Sequence, residues 1–274
     1  MRLLFCGDIV GRSGREVVVE HVPRLRRELG LDFVVVNGEN AAGGFGITEK
    51  ICNELYEAGA DVITTGNHVW DQRETMGFID RHPRLQRPQN FPAGTPGRGI
   101  GVYPAPNGRK VLVLSVMGRL FMDPLDDPFA CVERELAQYR LAGTVDAIIV
   151  DVHAEATSEK MAMGHLLDGR VSLVVGTHTH VPTADHQVLP KGTAYQTDAG
   201  MCGDYDSVIG MEKALPIARF TRKLPTERLA AAQGPATLCA VFVETDDKTG
   251  LARRVAPLRV AGRLQPAMPA PATP

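Results

Sequence analysis

Short unbroken apolar runs alternate along the chain with stretches whose apolar residues recur every three or four positions. The first run, over residues 2–7, carries Leu3, Leu4, Phe5 and Cys6 and reads as a buried strand. Residues 15–29 set Val18, Val22, Leu25 and Leu29 at helical spacing and leave Arg24, Arg26, Arg27 and Glu28 for water. Gly30 ends that helix. Residues 32–37 hold Phe33, Val34, Val35 and Val36 in a row, and a strand that is apolar throughout is covered on both faces. Thr48 is placed to cap a helix reaching Ala58, with Glu49 in its first turn. Further strands are predicted over 61–65, 111–116, 146–152 and 171–176. Helices are predicted over 72–81, 129–141 and 158–167.

The pattern then changes. Residues 193–197, 236–244 and 251–260 read as strands, the last two joined through Asp246, Asp247 and Gly250. The Pro-rich stretch 83–106 reads as an excursion from one body, not as a linker between two. Alternating β and α elements followed by antiparallel-looking strands predict a single α/β layered domain over 1–263. The Pro- and Ala-rich tail, 264–274, is predicted to be disordered.

Composition narrows the setting. The chain has 274 residues, 44% hydrophobic and 23% charged, within the range of ordinary globular proteins. A net charge of −2 argues against a broad basic surface for duplex nucleic acid, while leaving room for a local basic patch. The cysteines (Cys6, Cys52, Cys131, Cys202 and Cys239) are five in number and form no C-x-x-C pair. That excludes a simple disulfide framework or a thiolate zinc site and suits the reduced thiols of a cytoplasm. The opening run lacks the apolar core and cleavage site of a signal peptide. No apolar stretch reaches the roughly 18 residues of a membrane span, so a cytoplasmic protein without membrane contact is expected.

Polar residues able to bind metal follow apolar strands five times over. Asp8 follows the first run; Glu39 and Asn40 follow the second; Asn67 and His68 the third. His153 comes after Ile148, Ile149 and Val150, and His178 and His180 come after Val174 and Val175. Taken singly, an Asp after a strand caps a helix or turn, and a lone His is an ordinary histidine. Only His178-Thr179-His180 carries weight alone, since His-x-His at a strand end aims two imidazoles at one point. In α/β sheets the carboxyl ends of the strands line one crevice. Five such ends supply a shared site, and the conjunction points to bound metal.

The set Gly7-Asp8, Gly38-Glu39-Asn40, Gly66-Asn67-His68, His153 and Gly176-Thr177-His178-Thr179-His180 resembles the calcineurin-like metallophosphoesterase superfamily. Two departures stand out. Val10 replaces a usual ligand histidine, and Glu39 with Asn40 beside it stands where Asp is usual. Both are shared with the YmdB-like bacterial phosphodiesterases, as is the local text of 37–46, 66–71 and 205–211. The resemblance implies a four-layer metallophosphoesterase fold, with two central β-sheets packed as a sandwich and flanked by helices. It implies Asp8, Glu39, Asn40 and His180 on one metal and Glu39, Asn67, His153 and His178 on the other. It also implies hydrolysis of 2′,3′- or 3′,5′-cyclic nucleotides.

A two-metal site needs a bridging carboxylate between ions roughly 3.5–4 Å apart, and Glu39 is the best bridge. Oxygen and nitrogen ligands without thiolate favour two divalent or trivalent ions, iron or manganese, over a structural zinc. A hydroxide bridging the ions is the expected nucleophile. His68, next to a ligand but not itself one, is the expected catalytic proton donor to the leaving oxygen.

Weaker signals complete the picture. Gly7, Gly11 and Gly14 match neither a dinucleotide fingerprint nor a P-loop, and read as a turn in which Gly7 lets the metals approach closely. Gly43-Gly44-Phe45-Gly46 reads equally as a flap or a plain loop. Tyr205, Asp206 and Ser207 are lesser candidates for the site, Cys202 reads as packing, and Arg119 meets either a phosphate or a surface carboxylate. The leading function is a cyclic-nucleotide phosphodiesterase, also acting on other phosphodiesters such as RNA ends. Its rivals are a phosphomonoesterase or nucleotidase, and a regulatory protein that senses nucleotide or RNA with slow turnover. A homo-oligomer is compatible with the sequence.

Overall fold

The computed structural model describes residues 1–223 and 227–269. Its elements are β1 (Arg2–Val10), α1 (Gly11–Leu29), β2 (Phe33–Asn40), α2 (Glu49–Glu57), β3 (Val62–Thr64), α3 (Thr75–Phe78), β4 (Ile100–Pro104), β5 (Lys110–Met117), α4 (Pro128–Leu136), β6 (Ala147–His153), α5 (Thr157–Leu166), β7 (Leu173–Thr177), β8 (Gln187–Val188), β9 (Ala194–Gln196), β10 (Met201–Asp204), α6 (Ala214–Arg222), β11 (Ala236–Thr245) and β12 (Ala252–Val260). One six-stranded sheet runs β12-β11-β10-β1-β2-β3, with β11 also paired to β1. The other runs β4-β5-β6-β7-β9-β8.

The unbroken apolar runs have their explanation in the layering. Leu3, Phe5, Phe33 and Val35 of the first sheet share a core with Val111, Val113, Ile149 and Leu173 of the second. The alternate residues Leu4, Cys6, Val34 and Val36 turn the other way, onto Val18, Val22 and Leu25 of α1 and Leu55 of α2. Leu112, Leu114, Ile148 and Val150 similarly meet Val132 and Leu136 of α4 and Met163 of α5. Helices, sheet, sheet and helices therefore stack in four layers, as the resemblance implied. Each fully buried branched side chain contributes about 1.5–3 kcal/mol. The predicted punctuation holds: the Thr48 hydroxyl accepts from Ile51 N at 3.3 Å, and Gly30 ends α1 at φ 59°.

Several elements depart from expectation. The helix predicted over 72–81 shrinks to α3 and a 3-10 turn, Ile79–Arg81. Its first turn is spent on cross-links, since Gln72 Nε2 donates to Phe45 O (2.8 Å) and Thr75 Oγ1 to Ile47 O (2.9 Å). The excursion 83–106 contains β4, which pairs antiparallel with β5 at the edge of the second sheet. Strands β8 and β10 and helix α6 were not predicted. Residues 264–269, assigned by composition to a disordered tail, include Ala267, which exchanges backbone hydrogen bonds with Arg259 at 2.7 and 3.0 Å. Positions 270–274 lie outside the described residues. Among the described residues no helix is long and apolar enough to cross a membrane.

Candidate metal centre

Parallel pairing of β1 with β2 and of β2 with β3 turns three strand ends of the first sheet the same way. Strands β6 and β7 do likewise in the second sheet. Asp8 lies in β1, where the register shifts on either side of it, and Glu39 and Asn40 end β2. Asn67 and His68 follow β3, His153 is the last residue of β6, and His178 and His180 follow β7.

All seven expected ligands meet. His153 Nε2 lies 2.9 Å from Asn67 Oδ1, 3.1 Å from Glu39 Oε2 and 3.1 Å from His178 Nδ1. On the other side of Glu39, Asn40 Nδ2 lies 3.1 Å from both Glu39 Oε1 and His180 Nε2. Half a turn of that amide presents Oδ1 to the same point; its oxygen and nitrogen are told apart only by the bonds they make. Asp8 Oδ2 accepts from His178 N at 3.2 Å, while its Oδ1 is buried without a hydrogen-bond partner. Two groups could each hold an ion, Glu39 with His153 and His178, and Asp8 with Glu39 and His180. Glu39 belongs to both.

The surrounding shell fixes which atoms face inward. Thr177 Oγ1 donates to the buried Asp151 carboxylate (2.7 Å), so at 2.9 Å it accepts from His153 Nδ1, which turns Nε2 inward. His180 Nδ1 donates to Ile209 O at 2.7 Å, which leaves its Nε2 facing the site. His178 and His180 both adopt left-handed backbone, at φ 94° and 66°, a strain of about 1–3 kcal/mol each. Asp198 restrains the turn between them, accepting from Thr179 N (3.1 Å), Thr179 Oγ1 (2.7 Å) and the buried Lys160 Nζ (2.8 Å).

Electrostatics pull neighbouring groups apart. Burial raises the Asp8 carboxyl well above the usual carboxylate range. Burial works the same way on Glu39, but the imidazole of His153, with His68 and His178, holds it at about 2. Against its own burial, His153 is lifted to about 9 by Glu39, Asp8 and Asp151. Burial and the adjoining His153 push His178 down to about 3. An unpartnered buried carboxylate oxygen and lone pairs converging on His153 Nε2 make a donor set that fits hard or borderline cations.

Other expectations sort themselves here. His68 is 31% exposed, with Nδ1 3.0 Å from Asp71 Oδ2 and its ring edge-on to Phe45. Gly7 does not make room for metal. A Cβ there would sit 1.8 Å from Gly200 O, so the close neighbour is backbone. Gly66 is the glycine that opens the site, because a Cβ there would lie 2.2 Å from His153 Nε2 and 2.3 Å from Glu39 Oε2. The 43–46 segment is a turn pinned by Gln72. Tyr205 reaches the loop backbone, donating to His180 O at 3.1 Å. Asp206 pairs with Lys213 instead, and Ser207 donates to Asp204 O. Arg119 pairs with Asp127 on the surface, and Cys202 is buried packing.

A cleft of about 380 Å³ opens beside the ligands, walled by Phe45, Val208, Ile209, Met211, Pro216 and Phe220. Pro216 and Phe220 of this wall were not expected from the sequence, nor was Glu155, whose Oε2 is 3.2 Å from His178 Nε2. The one available signal was Val208-Ile209, two apolar residues in an otherwise polar turn.

The model of the YmdB-like protein family matches residues 4–258. The chain belongs to the YmdB-like family. A Bacillus subtilis relative named 2′,3′-cyclic-nucleotide 2′-phosphodiesterase is 51% identical over 93% of this chain and 95% of that relative. Among solved structures, a hypothetical protein from Thermus thermophilus superposes with a TM-score of 0.89 at 44% identity, covering 96% of this chain and all of that one. A phosphatase from Mycoplasma pneumoniae gives 0.88 at 33% identity, covering 95% and 93%. The fold is thus shared with both of these structures.

Proposed function

We propose that this chain is a dinuclear-metal phosphodiesterase that opens 2′,3′-cyclic nucleotides, with 3′,5′-cyclic nucleotides and cyclic phosphates at RNA ends as further substrates. The observation that carries the reading is Glu39 shared by two ligand groups at the mouth of an apolar-walled cleft. Such a wall suits a nucleoside base. The name of the Bacillus subtilis relative supports the same substrate class.

Asp8, Glu39, Asn40 and His180 would hold one ion, and Glu39, Asn67, His153 and His178 the other; the donor set favours iron or manganese. When bound, the ions supply Lewis acidity, activating water and offsetting charge on the phosphoryl oxygens. The chain's own contribution is placement and proton transfer. Asp71 engages His68 Nδ1, so Nε2 is the nitrogen left to hand a proton to the ester oxygen that leaves. Phe45 packs against the His68 ring and holds it at the cleft. Five buried free thiols suit a reducing cytoplasm.

The test loads the protein with Mn²⁺ or Fe²⁺ and offers an aryl diester, an aryl monoester and a panel of cyclic nucleotides. The expected result is diester and cyclic-nucleotide cleavage that disappears in Glu39→Gln. Monoester cleavage alone would make it a phosphomonoesterase, and no turnover with metal bound would make it a sensor. His68→Ala is expected to slow turnover by about 10²–10⁴-fold with metal content unchanged. Loss of metal in that variant would remove His68 from the proton-donor role.

A further inference from the structure

We propose that a second pocket beside the metal centre binds the phosphate of an adjoining nucleotide, making oligonucleotides with a terminal cyclic phosphate better substrates than free cyclic nucleotides. The proposal rests on the phosphodiesterase reading of the centre. The pocket, of about 490 Å³, lies across the 41–46 turn that follows Asn40. Leu229 lines both it and the cleft, so the two spaces share a wall. Three arginines face it, Arg12, Arg15 and Arg228, together with Gln72 and Gln233, and no carboxylate lines it.

The arginines differ in how they are held. Arg15 is fixed, with Nη1 donating to Ala41 O at 2.5 Å, while its Nε is buried without a hydrogen bond, 3.7 Å from Glu54. Neither Arg12 nor Arg228 pairs with a carboxylate among the described residues. Arg228 lies over the Phe45 ring, 5.0 Å from its centroid, and so joins the pocket rim to the cleft wall. On a chain of net charge −2, Arg12 and Arg228, with Arg15 held beside them against Glu54, form a local anion site. Guanidinium forks match the two free oxygens of a phosphodiester, and the glutamine amides add neutral donors. A free cyclic nucleotide has one phosphate, which the metal centre takes. Filling the arginine pocket at the same time needs a second phosphate, such as the diester that links the terminal nucleotide to its neighbour.

The test measures kcat/KM of the Mn²⁺-loaded full chain on a 2′,3′-cyclic mononucleotide and on di- and trinucleotides ending in the same cyclic phosphate. The longer substrates are expected to win by about tenfold or more, the worth of one charge-assisted hydrogen bond. Arg12→Gln is expected to erase that advantage and leave the mononucleotide rate as it was, and Arg12→Glu to reverse it. Added salt is expected to lower the oligonucleotide rate more steeply than the mononucleotide rate. Equal rates in the wild type, or an advantage that survives Arg12→Gln, would overturn the proposal. If nothing is hydrolysed, the phosphodiesterase reading fails, and the pocket is judged by fluorescence anisotropy with a linear labelled oligonucleotide. Binding that drops in Arg12→Gln would sustain the pocket; binding indifferent to Arg12 would overturn it. Inorganic phosphate binding without any oligonucleotide gain would reduce it to a free-anion site.

Discussion

Asp198 is absent from the ligand groups, yet Lys160, Thr179 and Gly200 all direct donors at its carboxylate. It holds the Thr179 turn, and with it the two left-handed histidines, in place. Partners one shell out from a metal typically govern affinity by 10–100-fold. Asp198→Asn is therefore expected to weaken Mn²⁺ binding by about 10–100-fold, measured by titration calorimetry. The buried ammonium of Lys160 then loses its counter-charge, which destabilises the fold by about 3–5 kcal/mol. Adding Lys160→Met is expected to restore stability but not affinity. Recovery of both would make Asp198 a support of the fold alone.

Between β11 and β12 the chain turns on Asp246. Its Oδ1 accepts from Lys248 N (2.8 Å) and Thr249 N (2.9 Å), and its Oδ2 pairs with Arg253. Arg253, then those backbone donors, hold the carboxyl at about 2, below its unfolded value near 3.9. A depressed folded-state pKa adds stability that is present above about pH 4 and lost as pH falls through 2. Asp246→Ala is expected to lower the melting temperature at pH 7, with the gap to wild type closing between about pH 4 and 2. A gap unchanged at pH 2 would assign the effect to the turn backbone. This hairpin was readable in the sequence because Asp246, Asp247 and Gly250 interrupt two strand patterns. The convergence of the strand-end residues was readable for a similar reason: fully apolar runs mark central strands, and the residues at their carboxyl ends line the crevice. Strand β4 was hidden by the prolines around it, β10 by its glycine and by being four residues long, and α6 by Pro216 near its start. Pro216 and Phe220 of the cleft wall come from α6 and were hidden with it. Gly66 and Gly7 exchanged roles because only three-dimensional neighbours reveal what a Cβ would strike.

At the scale of the molecule the centre spans both sheets. Asp8 and Glu39 come from the first, and His153 from the second. A cation held between them binds the folded sandwich and not the open chain. Saturation at a hundredfold over Kd adds about 2.7 kcal/mol. Thermal melts are expected to shift upward with Mn²⁺, return with chelator, and stay flat in Glu39→Gln. A shift that persists in that variant would locate the stabilising ion elsewhere. Another feature of the same sheet bears on how the molecule comes into being. Strand β1 has β2 on one side, and on the other β11, with Leu3 opposite Val243. During synthesis its hydrogen-bonding edge toward β11 waits for more than two hundred further residues. Contacts so distant along the chain slow folding, and an uncovered apolar edge invites pairing with another molecule. A ribosome stalled before β11 would release a product with a central buried strand open on one side, a natural target for chaperones and proteases.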